Sequence, residues 1–207
     1  MNVWDRIVCC GTWMCRSIDD ARRGRNVKQV LVLGNGNFDG PGESGAVQLA
    51  LALRVAQRFT GTVYFQDPQC TEIEYEWLTS KDVQVRRQTS MTPPPLWCDN
   101  LMSSTETNDD DVCRVVFFVH NPHGLMEELL ASEWKSGETA RSVLICNDYG
   151  DWTHEEFNES IDGAMPHTNA FVNAAKIIRL PTYEPAPAVF HHTALIYIPN
   201  GEGLPDL

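Results

Sequence analysis

Short apolar runs alternate with amphipathic stretches along most of this chain, and this alternation limits the available folds more than any other feature. The apolar runs have the length of buried strands, and they cover residues 30–33, 63–65, 83–87, 115–119 and 143–146. The stretches between them carry apolar residues at helical spacing. Repeated strand-then-helix units with short turns build parallel sheets. The chain is therefore predicted to form an α/β fold with a doubly wound, mostly parallel sheet and helices on both faces.

Helix-start and helix-stop residues predict several element boundaries. Thr71 and Thr153 each stand three residues before a glutamate, a capping-box pattern that predicts a helix from the next residue. Pro166 suits the first position of a later helix. Gly61 is predicted to end the helix over residues 46–59.

The two ends of the chain and one internal stretch depart from this repeat. Residues 1–27 are predicted to form an N-terminal helical segment, and residues 28–207 a single α/β domain. Within that domain, a proline-containing, acidic stretch at about 88–111 is predicted to be a mobile loop. Closing strands over residues 176–180 and 194–198 are predicted to form an antiparallel edge. This element order is similar to the Rossmann-like methyltransferase architecture.

Composition and charge limit the partners that the protein can bind. Apolar residues make up 43% of the 207-residue chain, as in a globular protein. The net charge of −12 repels phosphate backbones and anionic lipid, so we expect neither nucleic-acid nor membrane binding. No apolar run reaches the roughly 18 residues of a membrane helix, and no clear secretory signal pattern is present. These features favour an intracellular location in the cytoplasm, the nucleus or both.

The seven cysteines do not form a recognisable disulfide or metal framework. Their number is odd and they are scattered among predicted core segments. Cys9, Cys10 and Cys15 lack the spacing of a zinc site, and no paired half follows. We therefore expect small buried thiols and no metal.

A glycine-rich turn after the first predicted strand is the first candidate ligand site. It contains Gly34, Gly36, Phe38 and Asp39. Glycines let a ligand approach the backbone, and the N-terminus of the following helix favours an anion. However, the spacing matches neither a dinucleotide fingerprint nor a Walker loop, and Asp39 would repel a pyrophosphate. The turn is either structural, which we favour, or a site for S-adenosylmethionine or a nucleotide whose space the Phe38 ring can fill.

Asp67 follows the second predicted strand and has two interpretations. An acid at this point of a nucleotide-binding sheet often accepts hydrogen bonds from ribose hydroxyls. Asp67 followed by Pro68 is equally an ordinary turn and helix-entry sequence. The residues alone leave both interpretations open.

Further polar residues follow the fourth and fifth predicted strands, where ligands bind in doubly wound sheets. They are His120, Asn121, His123, Asn147 and Asp148. The two histidines either bind a metal, act as acid and base near neutral pH, or hydrogen-bond a neighbouring loop, which we favour. The string around Asn121 is a poor match to the Asn-Pro-Pro-aromatic tetrad of amino-methyltransferases. His191 and His192 precede a closing strand, and alternation predicts that one of them points outward.

Taken in order, these motifs resemble the sensitivity-to-red-light-reduced family, the SRR-like proteins, over roughly residues 28–200. The matching segments are 34–38, 48–51, 67–68 with 72–78, 115–123, 129–134, 147–149, 190–193 and 198–199. The resemblance implies a Rossmann-like fold and a role in regulating circadian-clock genes and haem biosynthesis. This chain departs from the family pattern at Ala46, at residues 121–124 and at residues 146–149. If the family has an active site in this crevice, these departures imply that its chemistry is altered here.

Two functions follow from the sequence. The first is a non-catalytic regulatory protein that acts through protein partners of unknown identity and holds at most a small molecule. The second is a methyltransferase-like enzyme dependent on S-adenosylmethionine or a nucleotide. In that enzyme Asp67 would hold ribose, the glycine turn the methionine or phosphate end, and His120, His123 and Asn147 the substrate. No nucleophile motif or metal triad is present in the sequence, so we favour the first.

Overall fold

The computed structural model describes residues 3–40, 44–86, 111–135, 137–160, 163–183, 187–199 and 204–205. Six α-helices lie in this part of the chain: α1 Val3–Arg22, α2 Ser44–Phe59, α3 Glu72–Thr79, α4 His123–Glu133, α5 His154–Asn158 and α6 Pro166–Ala174. The strands are β1 Asn26–Leu33, β2 Thr62–Gln66, β3 Gln84–Arg86, β4 Val112–Phe118, β5 Ser142–Asn147, β6 Lys176–Arg179 and β7 Thr193–Tyr197. Nearly all of the predicted loop at about 88–111 lies outside the described residues.

The strands form one sheet in the order β3-β2-β1-β4-β5-β7-β6. The pairs from β3 to β5 are parallel, whereas β7 runs antiparallel to both β5 and β6. The predicted mostly parallel sheet with an antiparallel edge is confirmed. Because the strand order reverses between β1 and β4, the carboxyl ends of these two strands flank the topological switch point, where such sheets bind ligands.

Helices cover both faces of the sheet, as the apolar pattern predicted. Val30 and Val32 of β1 pack in one core cluster with α1 and α2, while Leu31 and Leu33 pack in a second cluster with α4, α5 and α6. Since β1 is buried on both faces, its sequence is a continuous apolar run instead of an alternating one. The architecture is a Rossmann-like α/β fold.

The helix boundaries confirm most of the sequence signals and correct one. Thr71 and Thr153 each complete a capping box with the glutamate three residues on, and Pro166 is the first residue of α6. α2 ends at Phe59, as predicted, but the left-handed residue after it is not Gly61. Thr60 takes the left-handed conformation, with φ of 58°, and the Gly61 amide closes the helix by donating to the Ala56 carbonyl at 3.1 Å.

The described cysteines are free thiols, as the sequence predicted for them. They are Cys15, Cys70, Cys113 and Cys146. Burial raises the pKa of Cys113 to about 11 and also raises that of Cys146, so neither is a thiolate nucleophile at neutral pH. In the part of the chain that the structure describes, no helix is both long and apolar enough to cross a bilayer.

A buried ionic cluster lies toward the amino ends of β4 and β5. Arg114 forms an ion pair with Glu133, donates to the Ser142 hydroxyl at 2.6 Å, and lies 3.5 Å from a carboxylate oxygen of Glu138. Arg114 is 1% exposed and Glu133 is 4% exposed. Burial raises the pKa of Glu133 to about 7, against the opposing charge and hydrogen bond of Arg114. The cluster lies at the opposite end of the strands from the switch point and belongs to the fold.

Candidate functional site

The candidate residues form two groups at the carboxyl ends of the strands. Residues 34–39, which we call the glycine turn, follow β1 and lie beside Asp67 at the end of β2. His120, Asn121 and His123 follow β4, and Asn147 and Asp148 lie at the end of β5. The structure therefore places all ten predicted residues at one edge of the sheet, but divides them between the two sides of the switch point.

The glycine turn folds back onto β2. Gly34 and Gly36 have φ angles of 55° and 71°, in the left-handed region that glycine adopts without strain. The Gly34 amide donates to the Gln66 carbonyl at 2.9 Å. The Gly36 amide donates to a carboxylate oxygen of Asp67 at 2.8 Å. The backbone amides that would face a ligand thus bind the neighbouring strand end instead.

Asp67 is buried, and both of its carboxylate oxygens accept backbone hydrogen bonds. Oδ2 accepts from the Gly36 amide, and Oδ1 accepts from the Gln69 amide, each at 2.8 Å. Asp67 is only 5% exposed. These are the contacts of a turn, and they occupy the atoms that a ribose would need.

Glu74 holds the far end of the glycine turn, a role that the sequence did not reveal. One carboxylate oxygen accepts from the amides of Phe38 and Asp39, the latter at 3.2 Å. The other oxygen accepts from the Thr71 amide at 2.9 Å and completes the capping box of α3. The capping pattern predicted the helix start but carried no sign that the same carboxylate, 1% exposed, also binds a turn 35 residues away.

The Phe38 ring packs against β2 and α3. Its centroid lies 6.0 Å from that of Phe65 and 5.6 Å from that of Trp77, both in edge-to-face geometry. Phe38 also lines a cavity of about 380 Å³ between α2 and α3, which we call the apolar groove. Ile73 and Trp77, on the rim of the groove, are 69% and 42% exposed and are the exposed large hydrophobic residues of the described chain. The groove is therefore an apolar surface next to the glycine turn.

Asn121 fills the switch point itself. Its side-chain amide is buried and donates to the carbonyls of Leu33 and Gly34 at 3.0 and 3.3 Å. Its backbone carbonyl accepts from the Asn147 side chain at 2.9 Å, and the Asn147 oxygen accepts from the His120 amide at 3.0 Å. In the amino-methyltransferase tetrad, the Asn side chain and a backbone carbonyl grip the reacting amine. Here both groups of Asn121 are bound within the protein.

An open cavity of about 780 Å³, which we call the histidine crevice, lies between the ends of β4 and β5 and the turn before β7. Its lining residues are His120, His123, Asn147, Asp148, Trp152, Pro187, Ala188, His191 and His192. His120 is exposed, and its Nε2 lies 2.8 Å from the His191 carbonyl. This is the loop contact that we favoured for a histidine at a strand end.

One wall of the histidine crevice is aromatic and another is charged. His123 Nδ1 lies 3.0 Å from the Tyr149 hydroxyl, and its ring centroid lies 4.6 Å from Trp152. Asp148 accepts from the Arg179 side chain at 2.6 Å and from the Gly150 amide at 2.8 Å. The crevice therefore offers imidazole and indole rings together with a carboxylate that an arginine already neutralises.

His191 and His192 correct the prediction from alternation. Both are exposed, both line the crevice, and their ring centroids lie 3.7 Å apart. Alternation does not apply because the pair lies in the turn before β7, where His192 adopts a φ of 50°. Within the described ranges, no group of three or more His, Cys, Asp or Glu residues is placed to hold a metal ion.

In a comparison with known proteins, one family model matches a range of the chain that includes all of the candidate residues at this edge of the sheet. The family model described as SRR1 domain matches residues 14–197, from the second half of α1 to the end of β7. No curated protein matches the chain.

Proposed function

The chain belongs to the SRR1 domain family, and we propose that it is a regulatory protein that acts through protein partners and uses its Rossmann-like sheet as a scaffold. Family membership supports a regulatory SRR-like protein at the level of the family. The proposal assigns the protein to the cytoplasm, the nucleus or both. It also assigns the protein to the processes that the resemblance implies, circadian-clock gene regulation and haem biosynthesis.

The observation that carries this proposal is the closed switch point. In Rossmann-like sheets the cofactor uses the turn after the first strand and an acid after the second. Here the Gly36 amide binds Asp67, and Asn121 donates to Leu33 and Gly34 across the gap between β1 and β4. A ligand at this point would have to displace these hydrogen bonds. The bond from Asn121 to the Leu33 carbonyl is buried and would cost about 1–3 kcal/mol if left unmade.

The apolar groove supports the choice of a protein as the partner. Exposed aromatic and aliphatic residues beside a groove mark interaction sites on soluble proteins. The rim also carries the exposed carboxylate of Asp39. By charge complementarity, we expect the partner to present an apolar segment flanked by lysine or arginine.

The test separates the groove from the strand ends. Partners captured from cells by the wild-type protein are identified, purified and titrated against single variants. Trp77→Ala should weaken binding about thirtyfold, the effect of losing a tryptophan hot spot worth about 2 kcal/mol. Glu76→Ala on the same helix is the matched control for an exposed α3 residue and should weaken binding far less.

The histidine crevice provides the opposite test, because it lies outside the apolar groove. His123→Ala should bind the partner as the wild type does. If this variant loses the partner while it stays folded, or if Trp77→Ala and Glu76→Ala are equivalent, the partner contacts a different surface and the proposal fails.

A second candidate function rests on the size of the histidine crevice. A cavity of about 780 Å³ is within the range of small-molecule sites, about 300–1,000 Å³. It supports either a small molecule held without turnover or an enzyme dependent on S-adenosylmethionine or a nucleotide. Thermal unfolding with each cofactor at about millimolar concentration tests this, because a ligand of the native state raises the midpoint. No rise with any of them would remove the cofactor from this candidate function.

A further inference from the structure

A separate pocket of about 410 Å³ lies between α1 and the last turns of α2. Its polar lining residues include Thr12, Arg16, Asp19, Arg54, Gln57 and Arg58. Because α2 begins near the carboxyl end of β1 and ends near the start of β2, its last turns lie at the amino end of the sheet. The pocket is therefore at the opposite end of the fold from the glycine turn and the histidine crevice.

The pocket has an excess of positive charge on a chain whose net charge is −12. Asp19 is paired with Arg22, whose Nη2 lies 2.5 Å from its carboxylate. Among the described residues, Arg16, Arg54 and Arg58 have no carboxylate partner. Arg54 and Arg58 stand four residues apart on α2, so their side chains lie on the same face of the helix, and both line the pocket.

Gly11 of α1 gives Arg54 its position. A Cβ atom at Gly11 would lie 2.6 Å from Cδ and 2.7 Å from Nε of Arg54, inside van der Waals contact. A glycine within a helix lowers helix stability relative to alanine. Gly11 nevertheless lies within α1, at the residue over which the Arg54 side chain crosses this helix. The arginine is thus seated by the packing of the two helices and is not an arbitrary surface charge.

We propose that this pocket binds a small molecule that carries more than one phosphate charge. Planar guanidinium groups match phosphate oxygens in a two-point geometry, and three of them supply about three positive charges for a multiply charged anion. The pocket is larger than one phosphate group, which leaves room for the rest of a small molecule. The overall negative charge opposes a nucleic acid as the source of that phosphate.

The experiment is isothermal titration calorimetry of the full chain with pyrophosphate, citrate and a short oligothymidylate, at low salt of about 50 mM to limit screening. We expect saturable binding of one pyrophosphate. Arg54→Gln and Arg58→Gln should each weaken it about tenfold, the loss of one charge-assisted contact. Lys176→Gln, which removes one exposed positive charge on β6, should leave it unchanged.

Gly11→Ala provides a variant that changes the site without removing a charge. The new methyl group should displace Arg54 and weaken pyrophosphate binding, while the thermal midpoint stays the same or rises because alanine favours the helix. The proposal is overturned if pyrophosphate binding does not saturate, or if Lys176→Gln weakens that binding as much as Arg54→Gln does. It is also overturned if Gly11→Ala leaves the affinity for pyrophosphate unchanged, or if citrate or the oligonucleotide binds more tightly than pyrophosphate.

Discussion

Replacing Asp67 with alanine should release the glycine turn from β2 and destabilise the protein without any ligand present. The carboxylate accepts the Gly36 and Gln69 amides at 2.8 Å each while being 5% exposed. A hydrogen bond to a charged group contributes about 1.5–3 kcal/mol. Gly36 and Gln69 are exposed, so water can solvate their amides once the carboxylate is gone. The lower figure therefore applies to each bond, and the expected loss is about 3 kcal/mol.

Asp67→Asn is the matched control, because it keeps the shape of the side chain. The amide oxygen can accept one of the two backbone N–H groups, but the NH₂ group then faces the other donor. We therefore expect Asp67→Asn to be destabilised as well, by roughly half the loss of the alanine variant or more. Urea unfolding followed by tryptophan fluorescence measures both losses. For a chain of this size, about 3 kcal/mol corresponds to a fall of about 6–12 °C in the thermal midpoint.

The result separates a structural carboxylate from a ligand-binding one. If Asp67→Ala costs less than about 1 kcal/mol, or if Asp67→Asn is as stable as the wild type, the two hydrogen bonds do not hold the turn. A ribose-binding carboxylate would leave the stability of the unliganded protein nearly unchanged and abolish the stabilisation by a nucleotide. The two roles therefore affect different measurements on the same two variants.

Four other substitutions test the buried cluster and the glycine turn. Arg114→Met leaves Glu133 buried without its partner and should cost about 3–5 kcal/mol in urea unfolding, most of which a further Glu133→Leu change should restore. The folded-state pKa of Glu133, about 7, lies above the ordinary 4.5, so its stabilising contribution is complete below pH 4.5 and is lost as the pH rises to 7. Glu133→Gln should therefore remove roughly 2 kcal/mol of stability change between pH 5.5 and 7, and equal pH profiles for the two proteins would contradict this. Phe38→Ala should cost about 2 kcal/mol, because the half-buried ring loses its contacts with Phe65 and Trp77, and an unchanged thermal midpoint would show that the ring does not anchor the turn.

The sheet was predictable from the sequence because a strand that is buried on both faces shows a continuous run of apolar residues. β1 is apolar at consecutive positions since Leu31 and Val32 face different cores, and its short length and β-branched residues favour a strand over a buried helix segment. The capping boxes are equally local, because donor and acceptor lie three residues apart. The end of α2 at Phe59 was predicted, but Thr60 adopts the left-handed conformation that the sequence pattern assigns to glycine.

The contacts that define the site were not predictable, because they join residues distant in sequence. Glu74 binds Phe38 across 36 positions, and Asn121 binds Leu33 across 88. Neither contact requires particular residue types at neighbouring positions, so no sequence motif or residue spacing predicts it. Arg114 is a partial exception. A charged residue inside an apolar run predicts a buried partner, although the run does not say that the partner is Glu133 of the following helix.

The position of β7 explains why the open cavity is displaced from the expected cofactor site. β7 pairs with β5 in the antiparallel direction, so the turn before it arrives at the carboxyl end of β5 and brings His191 and His192 beside His120. At the same edge, Asn121 closes the space between β1 and β4, and Asp67 closes the space between β1 and β2. A small molecule in the open crevice would meet imidazole and indole rings, and no glycine turn or free acid would be available to bind a ribose. The glycine turn thus contributes to the fold through its contacts with the end of β2, whereas any small molecule in the histidine crevice would contact the histidine-bearing turn before β7.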